Sequence, residues 1–321
     1  MEKIAGEITK RDIQYVFLAA RGTSDNAGRY ANYLLGALNG IPLALATPSL
    51  FTYYKRPPKL KNALVVGVSQ SGQSPDIVSV LEEGRNQGCA TLAITNEPKS
   101  PLAQSADYVI DIQAGLEKAV AATKTYTTEL MSIAMLSAAL SGNKRHWADL
   151  GKVAGWMKEA LKQDKFVAQT AQRYRYMDQT IVLGRGFNYA TAFEWALKLK
   201  ELTYINAEPY SSADFAHGPI AMVDSGFPVL AVAPKGMVFD SMLRMLKRLR
   251  EDFLAELVVI SNDKKALALA QMPLLIPSDI PEWLSPLVSI LPAQLFAYYL
   301  TLAKGYNSEQ PRSILKVTET R

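Results

Sequence analysis

The chain is predicted to be α/β, with two tandem parallel sheets carrying helices on both faces. Three observations predict it. Short apolar runs alternate with helix-length amphipathic stretches, the pattern of strand–helix–strand crossovers. Those runs break into small-residue turns that lead straight into helix starts. Landmarks of the first half return in the second at nearly one spacing, which marks a duplicated domain.

The elements follow in order. Residues 13–20 (Ile-Gln-Tyr-Val-Phe-Leu-Ala-Ala) are the first strand, Arg21-Gly22-Thr23-Ser24-Asp25 a turn and N-cap, and 27–38 a helix. A short extended piece follows Pro42, then Pro57-Pro58 and a strand over 63–68. Pro75 opens a helix of about 12 residues, since proline suits the first helical position. Strands over 90–95 and 108–112, a loop over 115–125 and an apolar helix over 126–140 complete the first half. In the second half Arg185-Gly186 follows the strand from Thr180 to Leu183, and the strand from Val229 to Ala233 closes in Pro234-Lys235-Gly236; both stand 164 positions after their counterparts. Ile94-Thr95-Asn96 returns as Ile260-Ser261-Asn262. A polar, largely helical stretch over 143–176 joins the copies, and the domains are expected at 1–155 and 156–321.

At 321 residues, 49% apolar and 20% charged, the chain is long enough for two cores. Its net charge of +5 suits small anionic substrates and gives no argument for nucleic acid. Its one cysteine, Cys89, precludes an intrachain disulfide and reads as a buried structural thiol. The N-terminus lacks a signal-peptide core, so a cytoplasmic location is expected. Residues 283–303 carry no charge and have membrane-spanning length, but Pro286 and Pro292 interrupt them; a buried helix at a subunit interface is expected rather than a membrane span.

Ser69-Gln70-Ser71-Gly72-Gln73-Ser74 is the stretch that points to a ligand. A strand, a small-residue turn and a helix start place backbone N–H groups and hydroxyls at the positive end of a helix dipole, which makes an anion pocket. It is neither a Walker loop nor a dinucleotide fingerprint. Three serines without a lysine suit the phosphate of a small molecule, although ordinary turns are also rich in Ser and Gly. The second copy has Ala233-Pro234-Lys235-Gly236 there, with no hydroxyls. It carries instead Lys198-Leu199-Lys200-Glu201 on a helix and His217 before Gly218-Pro219. His146, the other histidine, reads as a solvated or capping residue, and Lys316 lies in an apolar terminus.

Arg21-Gly22-Thr23-Ser24, Ser69 to Gly72, Leu197 to Glu201, Ala207-Glu208 with His217-Gly218-Pro219, and Gln310-Pro311-Arg312 with Lys316 together resemble the double sugar-isomerase (SIS) domain proteins. The resemblance is closest to the isomerase half of the glutamine:fructose-6-phosphate aminotransferases and runs from about residue 13 to the end. Ala20 to Asn26, Ala121 to Lys124 and Lys316 to Glu319 look most like the glutaminase-free branch, which includes type II glucosamine-6-phosphate deaminases. The resemblance implies two SIS-type, flavodoxin-like domains. It implies that Thr23, Ser24, Ser69, Gln70, Ser71 and Ser74 hold a sugar phosphate and that Lys198 supports it. Glu201 would move a proton between C1 and C2, His217 would open the ring, reaching a neighbouring subunit's site, and Lys316 would meet the open-chain carbonyl or amine. No cofactor or metal is called for, and a homodimer is expected.

Three positions depart from the aminotransferase pattern: Arg21 for a small residue, Gln73 for a glutamate and Ala122 for a sugar-contacting serine. About a dozen residues precede the first strand, too few for a glutaminase domain. The expected activity is therefore conversion of glucosamine 6-phosphate and water to fructose 6-phosphate and ammonia. A deglycase of phosphorylated fructosamine adducts, an ammonia-dependent synthase and a non-catalytic sugar-phosphate sensor are the alternatives.

Overall fold

A computed structural model describes residues 1–314 and divides the chain into two compact units: Met1–Leu150 with Ser313 and Ile314, and Gly151–Arg312. The division falls after Leu150, against an expected one after residue 155.

The first unit runs α1 (Glu2–Thr9), β1 (Tyr15–Ala19), α2 (Gly22–Asn39), β2 (Leu43–Leu45), α3 (Ser49–Thr52), β3 (Ala63–Val68), α4 (Pro75–Asn86), β4 (Ala90–Thr95), α5 (Pro101–Gln104), β5 (Tyr108–Asp111), α6 (Lys124–Ser141) and α7 (Lys144–Leu150). Its strands are all parallel, in the order β2-β1-β3-β4-β5. Every residue of β3 and β4 is buried, as a parallel strand covered on both faces requires, which is why both read as continuous apolar runs. Phe17, Val65, Val80, Leu81 and Leu102 belong to one of its core clusters. Cys89 joins that core, its Sγ donating to the Leu60 carbonyl at 2.8 Å, and burial pushes its thiol pKa up. The expected turn at 21–25 is instead the first turn of α2: Gly22, at φ +53°, swings the chain directly from β1 into the helix. Thr23 and Ser24 thus sit on helical backbone rather than in a loop.

The second unit runs α8 (Val153–Ala160), α9 (Asp164–Thr170), β6 (Gln179–Gly184), α10 (Tyr189–Thr203), β7 (Asn206–Ser211), α11 (Ser212–Ala216), β8 (Pro228–Val232), α12 (Phe239–Glu251), β9 (Glu256–Ser261), α13 (Lys264–Leu267), β10 (Met272–Leu275) and α14 (Ser285–Ala303). Its parallel order is β10-β9-β8-β6-β7, the first unit's order read from the other end. The duplication read from the sequence is therefore present strand for strand. The sequence gives no strand signal for β7, whose segment Asn-Ala-Glu-Pro-Tyr-Ser is polar and contains Pro209; it pairs as an edge strand, where a missing N–H is tolerated.

The helix α14 is long and apolar enough to cross a membrane by length and composition alone. Thirteen of its 19 residues are buried inside the second unit, where it packs on α10 and Phe296 meets Trp195 edge-on at 5.7 Å. It is the unit's core helix, and its apolarity follows from being covered on nearly every side.

Candidate active site

In an open parallel sheet of this order, ligands lie beyond the carboxyl ends of the strands where the winding direction reverses. In the first unit that point lies between β1 and β3, whose register pairs Ala19 with Gly67. Two segments leave the sheet there, Ala20 to Ser24 and Ser69 to Ser74. The serine loop is tightly built. Ser69 Oγ accepts the Gly72 N–H at 3.1 Å, and Ser71 Oγ accepts the Gln73 N–H at 3.3 Å. Both hydroxyls thus act as acceptors inside the loop, and among the described residues their own protons have no acceptor. Ser74 is the N-cap of α4 yet makes no side-chain cap bond. Three serine O–H donors are left for an outside oxygen, at the start of a 12-residue helix. The Gln70 carbonyl accepts from the Asn96 N–H at 3.1 Å, which ties the loop to the end of β4. Gly72 has φ +60°, and a Cβ there would lie 2.0 Å from Ser100 Oγ.

Three buried carboxylates that the sequence reading did not single out, Glu129, Asp76 and Glu117, shape this unit. Ser24 donates its hydroxyl to Glu129 Oε1 at 2.8 Å and its N–H to the Arg21 carbonyl at 3.1 Å, so its role at a phosphate would require the hydroxyl to turn away from Glu129. Arg21 spans from the end of β1 to the first turn of α4, where its Nε and Nη2 both donate at 2.8 Å to Asp76, which is fully buried. Thr23 stands one residue into α2, beside that arginine. Glu117 closes the N-terminus of α6, accepting from Thr123, Lys124 and Thr125. Burial, the largest single influence, raises its pKa, but these bonds together outweigh it and hold the carboxyl below its ordinary value.

The equivalent point of the second unit is filled from within. Glu282 accepts the Met237 N–H at 2.8 Å, and a Cβ on Gly236 would lie 2.1 Å from the Glu282 Cδ. A carboxylate of the chain itself thus occupies the loop that has lost its hydroxyls.

The chemistry-bearing cluster of the second unit lies on α10. Lys198 is 1% exposed, with Nζ 2.5 Å from Glu201 Oε2 and 3.4 Å from Glu194 Oε1. Glu194 is fully buried, whereas the Glu201 side chain is 23% exposed. Burial, the largest influence, depresses the lysine, but the charges of Glu194 and Glu201 and the hydrogen bonds to them together hold its pKa above the ordinary value. A Lys-x-Lys-Glu stretch ordinarily marks a solvated helix face; here it is the end of a buried E-x-x-x-K-x-x-E row with spacings of four and three on one face. Glu194 was legible in that row.

His217 is the exposed C-cap of α11, its N–H bonded to the Asp214 carbonyl at 3.0 Å, and its ring makes no hydrogen bond among the described residues. His146 lies 3.0 Å from Ser141 Oγ at the end of α6, a local capping contact. Lys316 lies outside the described residues.

The SIS domain matches residues 11–139 and 175–304, one copy in each unit. The glutamine–fructose-6-phosphate aminotransferase (isomerizing) of Thermosynechococcus vestitus is 34% identical over 324 residues, covering 95% of this chain and 51% of its own. The chain thus spans about half the length of that curated relative. The C-terminal domain of glucosamine-fructose-6-phosphate aminotransferase from Francisella tularensis superposes with a TM-score of 0.87 at 30% identity, over 96% of this chain and 89% of that one. The glucosamine-6-phosphate deaminase of Thermotoga maritima shares the fold, with a TM-score of 0.81 at 21% identity over 99% and 96% of the two chains. With both copies matched and both sheets wound in the same order, the chain belongs to the SIS domain family, as two tandem flavodoxin-like repeats homologous to the isomerase part of those aminotransferases.

Proposed function

We propose that the chain is an aminosugar-phosphate deaminase that converts glucosamine 6-phosphate and water to fructose 6-phosphate and ammonia. Thr23, Ser24, Ser69, Gln70, Ser71 and Ser74 hold the phosphate. His217 assists ring opening by shuttling the proton between the ring oxygen and the C1 hydroxyl. Glu201 then takes the proton from C2 of the open-chain aldehyde and returns it to C1 while O1 gains the proton that the amine nitrogen gives up, which leaves a C1 hydroxyl and a C2 imine. Water adds to C2, the C–N bond breaks, and the nitrogen leaves as ammonia. Lys316 meets the open-chain carbonyl or amine during these steps. A positioned carboxylate base and a neutral imidazole are what such proton transfers require. His217 serves a neighbouring subunit of a homodimer.

The observation that carries this reading is the row Glu194–Lys198–Glu201. A buried ammonium, itself balanced by a buried carboxylate, fixes a partly exposed carboxylate in one place. The relatives' names, which join fructose 6-phosphate, amino transfer and isomerisation, favour chemistry at C1 and C2 of such a sugar. The test is release of ammonia and fructose 6-phosphate in equal amounts from glucosamine 6-phosphate. Turnover of a phosphorylated fructosamine adduct with no ammonia from glucosamine 6-phosphate would replace the deaminase by a deglycase.

A further inference from the structure

Arg21 bridges the two segments that leave the first sheet at its switch point. It is the N-cap of α2, in extended backbone, and its carbonyl accepts the Ser24 N–H at 3.1 Å. The register that pairs Ala19 with Gly67 carries on to set Arg21 level with Ser69, on neighbouring segments about 4.8 Å apart. The side chain crosses to the first turn of α4, two residues past Ser74, where Nε and Nη2 both donate to Asp76 Oδ2 at 2.8 Å. The other oxygen of that carboxylate, Oδ1, accepts the Ile77 N–H at 3.0 Å, so a fully buried anion fixes the arginine from the protein side. The arginine side chain itself stays 51% exposed. Two of its five N–H bonds are used, and the other three have no acceptor among the described residues. Asp25, in the first turn of α2, is paired instead with Arg29 at 3.1 Å.

We infer that Arg21 is a phosphate-binding residue: its tie to Asp76 turns the free edge of the guanidinium onto the oxygens that Ser69, Ser71 and Ser74 also hold. The inference rests on the reading of the serine loop as the phosphate site. That loop has no lysine, so hydroxyls and a helix end would otherwise face a dianion alone; the arginine adds a full positive charge and a planar fork suited to two phosphate oxygens. Asp76 has already ordered the side chain, which lowers the entropy lost on binding. A phosphate bonded to the outer N–H groups lies closer to the guanidinium than to Asp76, so the attraction exceeds the repulsion. The second unit supplies an internal comparison. Its Arg185, 164 positions on, donates from Nη1 to Ser241 Oγ at 2.6 Å, and the loop equivalent to the serine loop holds the Glu282 carboxylate on the Met237 N–H. An anion thus sits at the corresponding loop even where the hydroxyls are gone.

Calorimetry with inorganic phosphate tests it. Arg21→Met keeps the stem, removes the donors and is expected to weaken phosphate binding about 10- to 100-fold. Because Arg21→Met leaves Asp76 buried without its cation, the double variant Arg21→Met/Asp76→Asn is measured beside it. The double variant should regain thermal stability yet bind phosphate as weakly as the single one. In turnover of glucosamine 6-phosphate its KM should rise about 10-fold or more with kcat within about threefold, the signature of a group that binds substrate and transition state alike. Phosphate affinity restored to the wild-type value in the double variant would mean that Arg21 only shields Asp76, and it overturns the proposal. The variant Ser71→Ala/Ser74→Ala separates this role from that of the loop. Unchanged affinity in Arg21→Met beside a loss of about 10-fold or more in the serine variant overturns the role of Arg21 alone; unchanged affinity in both overturns the loop as the phosphate site.

Discussion

Replacing Lys198 with methionine keeps the apolar stem and removes the ammonium from between two carboxylates. Glu194 is fully buried and 3.4 Å from Nζ, and at an effective dielectric constant of about 20 such a pair carries about 5 kcal/mol of gross attraction. Much of that is offset by the desolvation both groups have already undergone, and the contribution of Glu201, 23% exposed, is reduced further by solvent. The expected loss is that of a broken buried pair, about 3–5 kcal/mol. For a unit of this size it corresponds to a Tm lower by roughly 6–20 °C. The sign with pH is fixed by the carboxylate left behind. Without the lysine, Glu194 is more stable protonated, so its folded pKa rises above the unfolded value of about 4.3. A raised carboxyl contributes stability below that pH and loses it as pH rises, so the variant should lie nearest the wild type at about pH 4 and fall away towards pH 7. Adding Glu194→Gln should recover part of the loss at neutral pH. Thermal melts of the wild type and the variants across that range measure it. A deficit of less than 1 kcal/mol, or one independent of pH, would refute the claim that Lys198 is a buried, charged tie between the two glutamates.

Other outcomes follow from the first unit. Gly72→Ala forces a Cβ into Ser100 and onto a left-handed backbone, so loss of phosphate-ligand affinity by about 10-fold or more in calorimetry is expected, with destabilisation of about 1–3 kcal/mol; unchanged binding would detach the loop from the ligand. Glu117 is held below its ordinary pKa, so its contribution is present above about pH 4.3 and is lost as pH falls through its depressed value. Glu117→Gln should therefore melt lower than the wild type at neutral pH and converge with it in acid, and a constant difference would contradict this. Light scattering should find a homodimer, and an active monomer would remove the partner role given to His217.

Much of the fold was legible because parallel strands covered on both faces must be apolar throughout: the strand expected at 63–68 coincides with β3, and the helix expected from Pro75 coincides with α4. Repetition made the second copy legible through the first. Where the sequence misled, the cause was local. The edge position of β7 let proline and polar residues into a strand, and the left-handed Gly22 began α2 at its own position rather than after a turn. The serine loop was visible as composition, but the hydroxyl protons it keeps free depend on which N–H each oxygen accepts, which no residue pattern states. The burial of Lys198 was hidden for a similar reason, since Glu194 four residues earlier and the packing of α14 over α10 convert a charged stretch into an interior row. Glu129 and Asp76 were out of reach because their partners, Ser24 and Arg21, lie 105 and 55 residues away in the chain.

The most direct test of the account is the fate of the C2 proton of glucosamine 6-phosphate in deuterium oxide, followed by NMR alongside ammonia release, for the wild type and Glu201→Gln. The wild type should release ammonia and yield fructose 6-phosphate carrying solvent deuterium at C1. Glu201→Gln should lose both exchange and turnover by about 10²–10⁴-fold while its Tm stays within a few degrees of the wild type. Exchange and ammonia release at wild-type rates in Glu201→Gln would show that another group moves the proton and would contradict the assignment of the base.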